Sequence, residues 1–145
     1  MTKFDVPDVP FSVEPTANNH FAWVRTLMGL QRTHMAAVRT AVSLIGFGFT
    51  VAEFFKHLQR SVPETVRHIG PSGPRDFGMV LIGAGVVSLA LFTLQFSRAV
   101  TYLRSAPFAS ISGIGRKAMT MPIYLISYTV LFIGVAAFVF VFARI

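Results

Sequence analysis

Cysteine is absent from the 145 residues. That excludes a disulfide framework and thiolate metal sites, and leaves the redox compartment open. Acids are scarce: there are six, and Asp5, Asp8 and Glu14 all fall in the first nineteen residues. Little is left for general acid–base work. No Ser-His-Asp set, no paired acids and no phosphate-cradling glycine loop before a basic helix start occur. The chain is therefore not expected to be an enzyme or to need a cofactor. Glu53/His57 and Glu64/His68 each put an acid and an imidazole on one helix face. Neither pair has a third ligand close by, so no metal site is expected. No secretory leader is expected either. The first apolar run starts about forty residues in, far past a signal-peptide core.

What is there is apolar. The composition is 53% hydrophobic, with 15 Phe and a mean hydropathy of +0.61, well above a soluble domain of this size. Three runs account for it: 41–55, 77–97 and 119–143. The second and third can cross a hydrocarbon core of about 30 Å, which takes roughly 20 helical residues. The first is short if it must avoid every charge, because the 13 residues between Arg39 and Glu53 span roughly 20 Å. One of those two residues then sits at membrane depth. The expected class is an all-α membrane protein of three transmembrane helices preceded by an amphipathic interfacial helix. Spans are expected at about 38–58, 77–104 and 119–143, within a membrane domain of residues 20–145. Residues 1–19, with three prolines, read as an irregular arm.

The stretch from Phe21 to Phe55 organises the chain. Arg-Thr occurs three times, as Arg25-Thr26, Arg32-Thr33 and Arg39-Thr40, always seven residues apart. On one helix that step drifts by only about 20°, so the arginines form a stripe. Asn18 and Asn19 are candidate caps for a helix starting near His20. Residues 20–37 mix the stripe with apolar side chains, as an interfacial helix would, with Trp23, Arg25 and Arg104 at the lipid interface. That helix either bends near Gly29 or runs straight into the first span. Gly46, Gly48, Gly83 and Gly85 are candidate helix-packing positions, since small residues let membrane helices approach closely. A short surface helix is expected at 62–68, and Pro122 fits the first turn of the third span.

Basic residues set the expected orientation. The N-terminal segment and second loop carry Lys3, Arg25, Arg32, Arg39, Arg98, Arg104, Arg116 and Lys117. The first loop and C-terminus carry Lys56, Arg60, Arg67, Arg75 and Arg144. This bias puts the N-terminus in the cytoplasm and the C-terminus outside. The net charge of +7 flanks membrane spans, so the expected partners are anionic lipid headgroups or a polyanionic solute rather than nucleic acid.

The segment LQRTHMAAVRTAVSLIGFGF resembles the L-x-x-E-R-T-x-L-A-W-x-R-T signature of the YidH-like family of small bacterial membrane proteins, whose function is unassigned. The chain from about residue 20 onward is also similar to the membrane module of the eukaryotic vacuolar transporter chaperone, the polyphosphate polymerase complex. Gln31 stands where the signature has an acid, and Ala37 where it has Trp. The soluble domains of that complex have no counterpart. The resemblance implies a bacterial inner-membrane location and a homo-oligomer, a pentamer by analogy. It also implies a phosphate or polyphosphate path lined by basic residues, with Arg32, Arg98 and Arg144 at matching positions.

Two functions from different classes are therefore expected. In one, the protein is a homo-oligomeric conduit or binding site for phosphate-type anions, with Arg32, Arg39, Arg98 and Arg144 lining it. In the other, it is a structural or accessory subunit that anchors a larger membrane complex or anionic lipid, its arginines reaching up to headgroups.

Overall fold

The computed structural model describes residues 13–61, 73–112 and 120–143. These residues form three α-helices: α1 (Ala17–Ser61), α2 (Gly73–Leu103) and α3 (Met121–Ala143). A 3₁₀ turn over Ala106–Phe108 follows α2. All three helices are long and apolar enough to cross a membrane.

α1 starts earlier than the asparagines suggest. Thr16 takes the capping role, its hydroxyl accepting from the Asn19 backbone N–H at 3.2 Å, and the His20 N–H makes an early helical bond to the Thr16 carbonyl. The Asn19 side chain instead donates to the Glu14 carbonyl at 2.9 Å. From there α1 continues for 45 residues, about 67 Å. No separate interfacial helix precedes the spans among the described residues, and Gly29 lies inside the continuous helix. The expected surface helix at 62–68 lies outside the described residues.

One seam explains why α1 holds this length. Leu27, His34, Ala41 and Gly48 are buried at seven-residue intervals, and so are Val38, Ile45 and Ala52. This is the spacing that keeps one helix face against a neighbour. α2 lies antiparallel along the seam: Trp23 meets Leu103, His34 meets Phe96, Ala41 meets Gly85, and Gly48 meets Gly78. α3 runs parallel to α1, in register through His34 with Ser127, Ile45 with Gly134, and Phe49 with Phe140.

Close approach depends on small residues. A Cβ built on Gly48 would stand 2.7 Å from the Gly78 carbonyl oxygen, and one on Gly78 would stand 2.7 Å from that of Gly48. A Cβ on Gly85 would stand 2.9 Å from Ile45 Cγ1, and one on Gly134 would stand 2.8 Å from both Ile45 Cδ1 and Val86 Cγ2. Of the four glycines expected at contacts, Gly48 and Gly85 are there. A Cβ on Gly46 would meet nothing within 4 Å, and one on Gly83 would meet only Phe138 at ordinary contact distance, 3.7 Å. The helix packing within the chain uses Gly78 and Gly134 in their place.

Candidate anion site

The same seven-residue step that builds the seam also places the arginines. Each Arg lies two residues before a seam position: Arg25 before Leu27, Arg32 before Leu27's successor His34, and Arg39 before Ala41. Two residues on a helix are a rotation of about 200°, so the stripe lies nearly opposite α2. All three arginines are exposed, and none makes a hydrogen bond or ion pair with a described residue. The threonines of the repeat satisfy themselves. Thr26, Thr33 and Thr40 each donate to the carbonyl four residues back, at 3.0, 3.1 and 3.2 Å. Only the guanidinium groups are left without a partner among the described residues.

Arg32 and Arg39 line one concavity of about 420 Å³ together with Met28, Gln31, Met35 and Ile123. Helical side chains lean toward the N-terminus, so Arg39 leans toward Arg32. Apolar stems from α1 and α3 make part of the wall, and two cationic heads share the space.

The register with α3 gives the depth of these groups. Arg39 falls between His34, level with Ser127, and Ile45, level with Gly134, so it stands near Thr129 and Val130. That is about nine residues, or roughly 13 Å, inward from Met121. Arg32 is near Ile123, at the start of α3. α3 has 23 residues, about 34 Å, a close match to a hydrocarbon core of about 30 Å. On that register Arg32 lies at the edge of the core and Arg39 approaches its middle.

The remaining expected site residues separate. Arg98 is exposed on α2, two residues from buried Phe96, and does not line the arginine groove. Arg104 is half-buried and donates from Nη2 to the Thr120 hydroxyl at 2.7 Å, tying the end of α2 to the start of α3. Trp23 sits inside the bundle rather than on its lipid face: it is 5% exposed, and its indole N–H donates to the Leu103 carbonyl at 2.8 Å. Leu27, Phe96, Val100 and Ile111 close around it, and the His20 ring hydrogen-bonds the Ile111 carbonyl. Arg25 alone of the three expected interface residues projects freely outward. Arg144 lies outside the described residues. No three His, Asp or Glu side chains gather as a metal site among the described residues.

Sequence reasoning missed a polar junction at the centre of the bundle. His34 is 2% exposed, stacks on Phe96 with ring centroids 4.6 Å apart, and has Nε2 2.6 Å from the Ser127 hydroxyl. The seven-residue seam could have flagged His34, because it is the one ionisable residue among the four buried positions from Leu27 to Gly48. Nothing in the sequence pairs it with Ser127, 93 positions away.

Three apolar helices packed through glycines, with a cationic stripe on the outer face of the first, define a small polytopic membrane protein. The chain belongs to the family described as Domain of unknown function (DUF202), which matches residues 25–106, and this is the YidH-like family of small membrane proteins. The matched region takes in the arginine stripe, Arg98 and Arg104. No curated protein and no solved structure matches the chain. Nothing in these comparisons extends the likeness to the vacuolar transporter chaperone.

Proposed function

We propose that the protein is a non-enzymatic binding site or conduit for phosphate-type anions in the membrane, built by several copies whose Arg32/Arg39 faces share a common space. The observation that carries this reading is the depth of Arg39 on an outward face. A guanidinium at the centre of a membrane helix costs about 2.5–3.5 kcal/mol by insertion scales. No described residue offers relief at that level. The described acids are Glu14, before α1, and Glu53 and Asp76, both toward the opposite end of the bundle. A neutralising group is therefore sought beyond the described residues. Phosphate suits it, because a guanidinium fork contacts two oxygens at once and keeps its charge at any relevant pH.

The accessory reading draws on the groove's apolar wall. Met28, Met35 and Ile123 beside two cations equally suit a lipid phosphate with its chain alongside, and then no solute passes.

Purified protein in liposomes tests both. Short-chain polyphosphate or phosphate flux should fall to background in Arg32→Gln/Arg39→Gln, with the oligomer unchanged on a sizing column. Lysine at both sites should keep binding but lose part of the selectivity. Flux and polyphosphate binding that survive the double glutamine variant would remove the proposal. Loss of anionic-lipid retention alone, with no flux in the wild type, would select the accessory reading.

A further inference from the structure

The six acids of the chain are unevenly placed with respect to the arginine stripe. Glu53 and Asp76 stand toward the far end of the bundle, and Glu64 belongs to the connection between α1 and α2 at that same end. Asp5, Asp8 and Glu14 precede α1, at the end where the arginines are. Residues 1–12 lie outside the described residues, but the course of the chain where they join is fixed. Val13 packs on the Trp23 cluster and shares a groove with Ala22 and Thr26. It precedes α1 in sequence, yet it lies beside the second and third turns of that helix. The chain has therefore doubled back before α1 begins, and the Asn19 side chain holds the reversal by donating to the Glu14 carbonyl at 2.9 Å.

A segment continuing in that direction runs along the outer side of α1. Ala22, Thr26, Gly29 and Thr33 are exposed there at spacings of three and four residues, next to Arg25 and Arg32. They make a shallow bed. A Cβ on Gly29 would meet nothing within 4 Å, and both threonine hydroxyls are bonded to their own helix. The arm is long enough to use it. Pro7 and Pro10 favour extended backbone at about 3.1 Å per residue, so the five residues from Val13 back to Asp8 cover about 16 Å. Arg32 is six to ten residues along α1 from Thr26 and Ala22, or about 9–15 Å. It lies at the edge of the hydrocarbon core, so a backbone reaching it stays where water can satisfy its polar groups. Asp5 and Asp8 are three residues apart, one turn of proline-type extended chain, and so share a face.

We propose that residues 1–12 dock along this face of α1 and set Asp8 against the Arg32 guanidinium, with Asp5 as a second acid on the same side. The arm is then a tethered competitor for the anion site. The docking stands on the direction of the chain and the matching charges, whereas the competition rests on the anion reading of the arginine groove. Exposed ion pairs are individually weak. A short tether nevertheless holds the acids at an effective concentration in the millimolar range. The arm therefore excludes weakly held anions and yields to a polyanion that spans both Arg32 and Arg39.

The chain has no cysteine, so nitroxides on Val9→Cys/Thr33→Cys in phosphatidylcholine nanodiscs report the arm's position without other labels. The expected result at low salt is dipolar broadening between the two labels. Asp5→Asn/Asp8→Asn should abolish it, and about 1 M salt should weaken it, because the Debye length falls to about 3 Å. Dilution with unlabelled chain should leave it in place. Gly29→Cys replaces Thr33→Cys if that variant does not fold. The docking is overturned by an absence of broadening at both sites, by broadening that the asparagine variant keeps, or by broadening that disappears on dilution. Short-chain polyphosphate is the second probe. Asp5→Asn/Asp8→Asn should bind it about two- to thirtyfold more tightly than wild type, the range that two exposed ion pairs can supply. Equal affinity in both forms would refute the competition. If neither form binds polyphosphate while the broadening behaves as expected, the anion reading fails and the docked arm stands.

Discussion

Replacing Gly48 by alanine tests the packing argument at its tightest point. The new Cβ would stand 2.7 Å from the Gly78 carbonyl oxygen, 2.9 Å from Leu81 Cβ and 3.0 Å from Ile82 Cγ1. Carbon contacts are comfortable near 3.5–4.0 Å, so α1 and α2 must part locally by roughly 0.5–1 Å. A gap of that size forfeits a quarter to a half of each dispersion contact it opens. Lipid supplies no hydrophobic drive between helices to compensate. Overpacking of this kind costs about 1–3 kcal/mol. Better helix propensity returns up to about 1 kcal/mol of that. The net expectation is a loss of about 1–2 kcal/mol, a factor of roughly 5–30 in the folded population. Gly46→Ala is the matched control, since its Cβ meets nothing within 4 Å, and it should be neutral or slightly stabilising. Trp23, the single tryptophan, is buried against the end of α2, so its emission reports docking of the two helices during titration with a denaturing detergent. Equal midpoints for Gly48→Ala and wild type would refute the reasoning, as would a Gly46→Ala variant harmed as much as Gly48→Ala.

Ser127→Ala removes the hydroxyl partner of the buried His34 Nε2, and should destabilise the bundle by about 0.6–1.7 kcal/mol, the range of hydrogen bonds between membrane helices. Thr129→Ala, whose exposed hydroxyl bonds its own helix at the Leu125 carbonyl, should leave the same unfolding curve in place. Trp23→Phe removes the bond to the Leu103 carbonyl and should cost about 0.5–1.5 kcal/mol, read by circular dichroism as a lower melting temperature; an unchanged melt would mean that the indole contact contributes nothing. For topology, cysteines placed in the 62–73 loop should label from outside intact cells and cysteines before His20 should not, and the reverse pattern would invert the orientation.

The class of the fold was legible because it rests on run length and composition. The apolar stretches at 77–97 and 119–143 became α2 and α3 with ends a few residues from those expected. The arginine stripe was legible for the same reason that the seam was. Both follow a seven-residue step, and the two differ by a two-residue offset. Which face each takes depends on the partner helix, and so does the use of each glycine. Gly83 and Gly85 look alike in sequence, yet only Gly85 falls on the stripe of α2 that meets Ala41 and Ile45. Trp23 beside Arg25 reads as an interfacial anchor until the end of α2 covers it, through a hydrogen bond spanning eighty positions. The His34–Ser127 pair is likewise a contact between distant helices, and no local pattern announces it.

Shared periodicity also limits how α1 can answer its own charges. Turning the helix to tuck Arg39 among α2 and α3 would move Ala41, Ile45 and Gly48 off the seam and break the contacts at Gly85 and Gly78. It would also pull His34 away from Ser127. The chain thus keeps its packing only by holding the stripe outward. Arg25 and Arg32, at or beyond the edge of α3, can meet headgroup phosphates where they stand. Arg39 is level with Val130, and its stem must climb toward Arg32 to do the same. The described residues of another copy packed in parallel bring no acid to that depth, because Glu53 and Asp76 sit toward the far end and Glu14 precedes α1. Whatever covers the outer face of α1 therefore has to carry oxygen acceptors or negative charge well inside the hydrocarbon edge, and a phosphate held between the two guanidinium groups meets that requirement with the fewest rearrangements.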